Sequence, residues 1–231
     1  MFSIIIPTYN EADQIAITIG KIYAAHPKHA FEIIVADAGS KDGTVAIAKQ
    51  AGARVVASTR KGRGAQMNQG AAVAKFEVLY FLHADSTPPF NFTTQILEAY
   101  QSGVSAGCFR LQFDTKHWFL RGNAWFTRFD VNAVRFGDQS LFVTQVAFKK
   151  AGGYKESLLL MEDQEIIHRL KKHGKFKVLN DYVVTSSRKY LDNGVFRMQG
   201  IFYRIWAMYY LGYSQEQMLR LYRTLIKGHK L

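Results

Sequence analysis

Continuous apolar runs that stop abruptly at polar residues recur along the first part of the chain. Ser3-Ile4-Ile5-Ile6-Pro7 gives way to Thr8, Phe31-Glu32-Ile33-Ile34-Val35-Ala36 to Asp37, and Val78-Leu79-Tyr80-Phe81-Leu82 to His83-Ala84-Asp85. Short runs of this kind predict strands buried on both faces. Pro7 is expected to close the first of them. Between the runs, helices are predicted from Ala12 to about Ala25, from Val45 to Gln50 and from Ala65 to about Ala74, with a further strand from Arg54 to Ala57. Strand and helix alternating in this way predict an α/β fold with a mostly parallel central sheet and helices on both faces. Open sheets of that kind bind ligands beyond the carboxyl ends of their strands, which puts Asp37 and Asp85 at the lip of a site.

Two later segments carry a helical period. Glu162-Asp163 opens a helix whose apolar positions Ile166, Ile167 and Leu170 face inward. From Val195 the composition shifts: Met198, Ile201, Phe202, Ile205, Met208 and Tyr209 recur at helical spacing, with Arg197, Gln199 and Arg204 between them. The run is too interrupted to span a bilayer, which needs about 20 mostly apolar residues. Its apolar face either packs on the main domain or a second subunit, as in a homodimer, or seats at a membrane interface. A second, basic helix is predicted from Gln215 to Lys227. The division expected is a main domain over 1–193 and a helical extension over 194–231.

With 231 residues, 48% hydrophobic and 21% charged, the chain is globular in composition and can bury a sizeable core. Thirty Lys and Arg against 18 Asp and Glu leave a net charge of +12, which favours an anionic partner. No zinc-ligand spacing, RNA-binding signature or long basic tail accompanies that charge, so nucleic acid is not the expected partner. Cys108 alone rules out an internal disulfide framework and fits a reducing compartment. Met1-Phe2-Ser3 leads straight into a strand without the basic start of a secretion signal. A cytoplasmic protein, at most touching the inner face of a membrane, is therefore expected. No G-x-G-x-x-G follows the first strand, which disfavours a NAD-dependent oxidoreductase.

The candidate chemistry lies at the strand ends. A hard carboxylate at Asp85 can hold Mg2+ or Mn2+, and the ion a diphosphate; alternatively Asp85 caps the turn that follows it. Asp37 can accept a hydrogen bond from a base N–H. Arg63 and Gln66 lie in a glycine-flanked loop entering a helix, where amides and a guanidinium attract phosphate. His83 offers an imidazole, a poor ligand for magnesium and a better one for manganese, or it is a core histidine at a strand end. A carboxylate at the head of the Glu162 helix is either a proton acceptor or a residue favoured by the helix dipole.

The order of these pieces resembles the inverting glycosyltransferases of family 2, which adopt the GT-A nucleotide-sugar fold. The resemblance rests on Pro7-Thr8-Tyr9-Asn10-Glu11, on Asp37 through Thr44, on Gly64 to Gly70 with Asn68, on Asp85, and on Glu162-Asp163 followed by Arg169-Leu170 and Gly174. It covers roughly Met1 to Asn193. Within that family the strings Gly62 to Asn68, Phe81 to Asp85, Gly137-Asp138-Gln139 and Leu160 to Asp163 look closest to a bacterial subgroup labelled as arsenosugar-biosynthesis-type glycosyltransferases. The resemblance implies transfer of a sugar from a nucleoside diphosphate, UDP first among them, to an acceptor hydroxyl. It implies a nucleotide pocket of Pro7, Thr8, Asn10, Glu11, Asp37, Arg63, Gln66, Asn68, Ala84 and Arg188, a divalent metal (Mn2+ or Mg2+) on Asp85, and a base at Asp163 oriented by Glu162. His83, Gly137, Asp138 and Gln139 fall on the side of the donor sugar or acceptor. His83 stands where the family keeps the first aspartate of its Asp-x-Asp motif. The rival readings are a non-catalytic nucleotide-sugar binding module and a nucleotidyltransferase of related fold.

Overall fold

A computed structural model of the chain describes residues 1–25, 31–135 and 137–228. Its N-terminal half alternates β1 (Phe2–Thr8), α1 (Ala12–Ala25), β2 (Phe31–Asp37), α2 (Thr44–Gln50), β3 (Arg54–Ala57), α3 (Arg63–Ala72) and β4 (Val78–Phe81). The short strand β5 (Ser86–Thr87), α4 (Phe92–Gln101), the long β6 (Val104–Phe113) and α5 (Trp118–Phe126) follow. The remainder comprises β7 (Leu141–Thr144), α6 (Gln145–Lys150), α7 (Glu162–Leu170), β8 (Lys175–Thr185), α8 (Arg188–Asn193), α9 (Val195–Tyr210) and α10 (Gln215–Leu225).

The strands form one sheet in the order β3-β2-β1-β4-β7-β6-β8-β5. The expected parallel pairing holds from β3 to β4, and β6 lies parallel to β8. The sheet is mixed because β7 runs antiparallel to both β4 and β6, and β5 antiparallel to β8. Alternate side chains of the central strands serve opposite faces. Ile4, Ile6, Ile33, Val35 and Tyr80 pack beneath α1 and α4, while Ile5, Ile34, Leu79 and Phe81 pack beneath α3, α6 and α7. This explains why β1, β2 and β4 read as unbroken apolar runs: both faces are covered.

Some boundaries differ from expectation: α3 starts at Arg63, which is its first residue and not part of the preceding loop, and ends at Ala72, and α10 stops at Leu225, short of Lys227. Pro7 does not close β1; the strand continues to Thr8. Pairing with β4 ends at Ile5, so at Pro7 only β2 lies alongside, and a residue without an N–H is tolerated on the open side. On the opposite face α3 sits very close to β1, and a Cβ on Gly70 would lie 2.4 Å from Cγ2 of Ile5.

A third core lies away from the central strands. It joins Leu111 and Phe113 of β6 and Leu120 of α5 to Met198, Ile201 and Ile205 of α9 and Met218 and Tyr222 of α10. The helical period read from Val195 onward is thus met by a partner, and the C-terminal helices pack on β6 and α5. Leu160, two residues before Glu162, belongs to the same core.

Candidate active site

The first loop is built around Asp37. Its Oδ1 accepts from Thr8 Oγ1 (3.0 Å) and Ser40 Oγ (2.5 Å), and its Oδ2 accepts from the amides of Gly39 (2.9 Å) and Ser40 (2.8 Å). Asn10, in the left-handed region at φ 54°, accepts from the Lys41 amide through Oδ1, while the Glu11 amide donates to Thr44 Oγ1. Pro7 and Thr8 are buried. Gln66 donates from Nε2 to the carbonyls of Thr8 (2.6 Å) and Ala36 (2.9 Å), clamping the ends of β1 and β2. Asn68 exchanges hydrogen bonds with the backbone of Tyr154, and the Ala84 carbonyl accepts from Thr18 Oγ1. Asp37, Asn10 and Glu11 therefore share one loop system with Gln66 behind it, whereas Asn68 faces the segment before α7.

The second group lies at the ends of β4 and β7. His83 Nδ1 donates to Asp138 Oδ1 at 3.0 Å, across from the 3₁₀ turn Gly137–Gln139. Burial disfavours charge on His83, but the bond to Asp138 outweighs it and raises the imidazole pKa. Asp138 moves the other way: burial opposes its charge, yet His83, Lys189 and Arg63 take it down to about 2. Burial and then the Asp138 charge push the Asp85 carboxyl above its usual range. Gln139 is directed elsewhere, since its Nε2 donates to the Phe109 carbonyl at 3.0 Å in the interior.

The third group comes from α3 and α7. Arg63 Nε stands 2.7 Å from Oε1 of Glu162, which is 1% exposed. The contact is a close ion pair without hydrogen-bond alignment, and neither Glu162 oxygen has a hydrogen-bond donor among the described residues. Burial drives the Glu162 pKa up to about 7, against the pull of Arg63 and with the push of Asp163. Glu162 enters α7 through Met161, which holds a left-handed φ of 69°. That turn is braced from the C-terminal helices: Gln215 Oε1 accepts from the amides of Leu159 (3.0 Å) and Leu160 (3.1 Å), and its Nε2 donates to the Leu160 carbonyl (3.2 Å). Arg169, one helix face away, ties the 151–153 segment by donating to the carbonyls of Ala151 and Gly153 and pairs with Glu165.

Asp163 is half-buried and lines a small cavity with His83, Ser140, Tyr154 and the apolar side chains of Met67, Phe81, Leu141 and Ile167. The space, about 10 Å3 for the centre of a water, suits roughly one water molecule. Asp85, His83, Asp138, Arg63, Glu162 and Asp163 thus converge within one electrostatic neighbourhood. The cation acting on Asp85 and Asp138 from the C-terminal side is Lys189; its neighbour Arg188 is exposed at the start of α8. Lys189 belongs to the basic segment Arg188-Lys189-Tyr190 that the resemblance puts near the diphosphate, with Arg188 as the expected contact, whereas Tyr154 and Ser140 carry no motif of their own. Only their place in the fold brings Tyr154 and Ser140 here.

Among the described residues no group of three or more His, Cys, Asp or Glu has metal-holding geometry. The donor chemistry nonetheless fits a hard cation. Two carboxylates that repel one another, Asp85 and Asp138, offer the hard oxygen ligands that Mg2+ and Mn2+ take, one or two carboxylates completed by phosphate oxygens and water.

The sequence and the fold both have relatives. The chain is 33% identical over 93 residues to the glycosyltransferase AglE of Haloferax volcanii, a match covering 37% of this chain and 31% of that one. The fold is similar to a mannosyltransferase of Pyrobaculum calidifontis in complex with GDP-mannose and Mn2+, at 18% identity and a TM-score of 0.71, covering 88% of this chain and 61% of that one. It is also similar to TarS of S. aureus in complex with UDP-GlcNAc, at 18% identity and a TM-score of 0.68, over 80% of this chain and 58% of that one. The chain thus covers about a third of the curated relative and about three-fifths of these structures. Its architecture is the GT-A fold of such transferases. The sequence profile of glycosyl transferase family 2 matches residues 3–157, and the chain belongs to that family.

Proposed function

We propose that this protein is an inverting glycosyltransferase that moves a sugar, a hexose or a close relative, from a UDP-sugar to an acceptor hydroxyl. The observation that carries the reading is Asp163: a half-buried carboxylate at the head of α7, lining a water-sized cavity with His83 and Ser140. Asp163 takes the proton of the acceptor hydroxyl as its oxygen attacks the anomeric carbon, while the bond from that carbon to the diphosphate oxygen breaks. One displacement inverts the configuration. Glu162 and Arg63 orient this end of the site, and Arg63 and Lys189 supply positive charge toward the departing diphosphate. Asp85, with Asp138 beside it, would hold Mn2+ or Mg2+, which supplies further countercharge when bound.

The loop of Asp37 supports a pyrimidine site with one condition. Both carboxylate oxygens already accept two hydrogen bonds, so a uracil N–H would replace the hydroxyl of Ser40, the less buried of the two hydroxyl donors. The transferase unit is placed at 1–193 and the helical extension at 194–231, of which 229–231 lie outside the described residues. The strings shared with the arsenosugar-biosynthesis-type subgroup support a pathway association and leave the acceptor to experiment.

The test is calorimetric binding of UDP and GDP with Mn2+ and with chelator, alongside an assay of transfer read as UDP released from intact UDP-sugar, with water as the acceptor where no other is supplied. Asp163→Asn is expected to bind UDP as the wild type does and to lose transfer; wild-type transfer by this variant removes Asp163 as the base. Asp85→Ala is expected to weaken UDP binding with Mn2+ and to leave it unchanged in chelator. Equal weakening in both separates Asp85 from the metal.

A further inference from the structure

The helices α5 and α9 turn their apolar period inward and still expose a second, aromatic stripe. On α9, Phe196, Tyr203 and Tyr210 recur every seven residues and are 59%, 57% and 53% exposed. Arg197 and Arg204 follow the first two directly and are exposed as well. On α5, Trp118 and Trp125 stand seven apart, with Arg121 exposed between them, and Phe129 continues the stripe. The two helices lie side by side. Phe196 packs on Phe119 (4.8 Å between ring centres) and Trp118 (6.1 Å), and Asn123 donates to Gln199 at 3.0 Å.

This is a large aromatic surface for a monomer to leave in water. Its charge indicates what covers it. Residues 115–129 and 193–215 contain no Asp or Glu and five Lys or Arg: Lys116, Arg121, Arg128, Arg197 and Arg204. A second copy docked on the same face would bring like charges together. Tryptophan, tyrosine and arginine side by side suit the headgroup level of a bilayer, where rings seat at the acyl boundary and guanidinium groups meet phosphate. Neither helix is long and apolar enough to cross. We propose that the α5–α9 face is a peripheral docking surface for a membrane containing anionic phospholipid, with Trp118, Trp125, Phe196 and Tyr203 entering the interface.

The placement extends to the catalytic end of the molecule. Tyr210, at the end of α9, donates to Gln164 Oε1 at 3.3 Å, next to Asp163. A bilayer on this face would lie against the helix layer that braces α7.

The experiment is co-sedimentation of the whole protein with phosphatidylcholine vesicles with and without phosphatidylglycerol, read together with tryptophan emission. Binding is expected to the anionic vesicles only, with a blue shift as Trp118 and Trp125 leave water. Arg197→Glu with Arg204→Glu is expected to lower partitioning more than tenfold, since each basic residue near such a surface contributes roughly fivefold. Trp118→Ser with Phe196→Ser, both at exposed positions, should lower partitioning and shrink the blue shift, which Trp125 alone then reports from this face, while the thermal midpoint stays put. Because a protein of charge +12 can adhere to anionic vesicles by any face, binding without a blue shift overturns the proposal. So does failure to bind, or a concentration-dependent dimer that the Trp118 and Phe196 substitutions dissolve.

Discussion

Glu162 is the residue where burial and charge conflict most directly. Among the described residues its buried carboxyl has no hydrogen-bond donor and pairs with the Arg63 guanidinium, and burial holds its pKa up at about 7. A carboxyl whose pKa is raised on folding contributes stability at low pH, and that contribution is lost as pH rises through the folded value. From pH 5 to pH 8 the free protein is therefore expected to lose stability. Glu162→Gln, which cannot ionise, should flatten that decline by roughly a few degrees of midpoint. Parallel midpoint-against-pH curves for the two proteins would show that Glu162 stays ionised throughout. Tolerance of such a group is the usual mark of a site where function, not stability, selects the residue. The Glu162-Asp163 pair was legible in the sequence as two carboxylates heading an amphipathic helix. The partner that makes Glu162 unusual, Arg63, sits 99 positions earlier, and its nomination from sequence was as a phosphate contact.

At the level of elements, α7 is positioned by a helix that no motif connects to it. Gln215 begins α10, yet its amide satisfies both the N–H groups and a carbonyl of Leu159 and Leu160, just before the strained Met161 turn. Gln215→Leu would leave those backbone groups without their partner at a cost of about 1–3 kcal/mol. The expected outcome is a fall in transfer rate with UDP affinity unchanged, because the turn carries Asp163 and not the nucleotide loop. Equal losses in both quantities would mean that Gln215 supports the fold in general and no particular turn. Helices α1 and α10 and strands β2 and β3 could be read from periodicity to within a few residues. Residues 90–136 carry no nucleotide motif, and β6 and α5 emerge only in the structure.

For the whole molecule, the cores are continuous across the boundary expected near residue 193. Met218 of α10 is fully buried in the same cluster as Leu111 of β6 and Leu120 of α5. We expect calorimetry to show one unfolding transition, and Met218→Ala to lower it as a unit by about 2–5 kcal/mol. Two transitions, with only one shifted by the substitution, would mean that the C-terminal helices unfold independently. The same packing explains why the apolar spacing of α9 allowed either a tertiary or an interfacial reading. Both faces of the helix are used: Met198, Ile201 and Ile205 face the core, and Phe196, Tyr203 and Tyr210 stay outside.

The sequence by itself determined the strand runs, the helices between them, and the order of carboxylates along the chain. Those follow from local periodicity and from residue types whose chemistry does not depend on neighbours. The assignments of Gln66, Asn68 and Gln139 to ligands were open to revision, because an amide serves backbone and ligand equally well. The structure directs the Nε2 groups of Gln66 and Gln139 to backbone carbonyls and pairs Asn68 with the backbone of Tyr154. Tertiary structure alone decided that β7 would run antiparallel between β4 and β6, that His83 would donate to Asp138, and that Lys189 would act on the site carboxylates. Each of these joins segments more than 30 residues apart, and which distant groups meet is set by chain topology and packing, which local pattern does not encode.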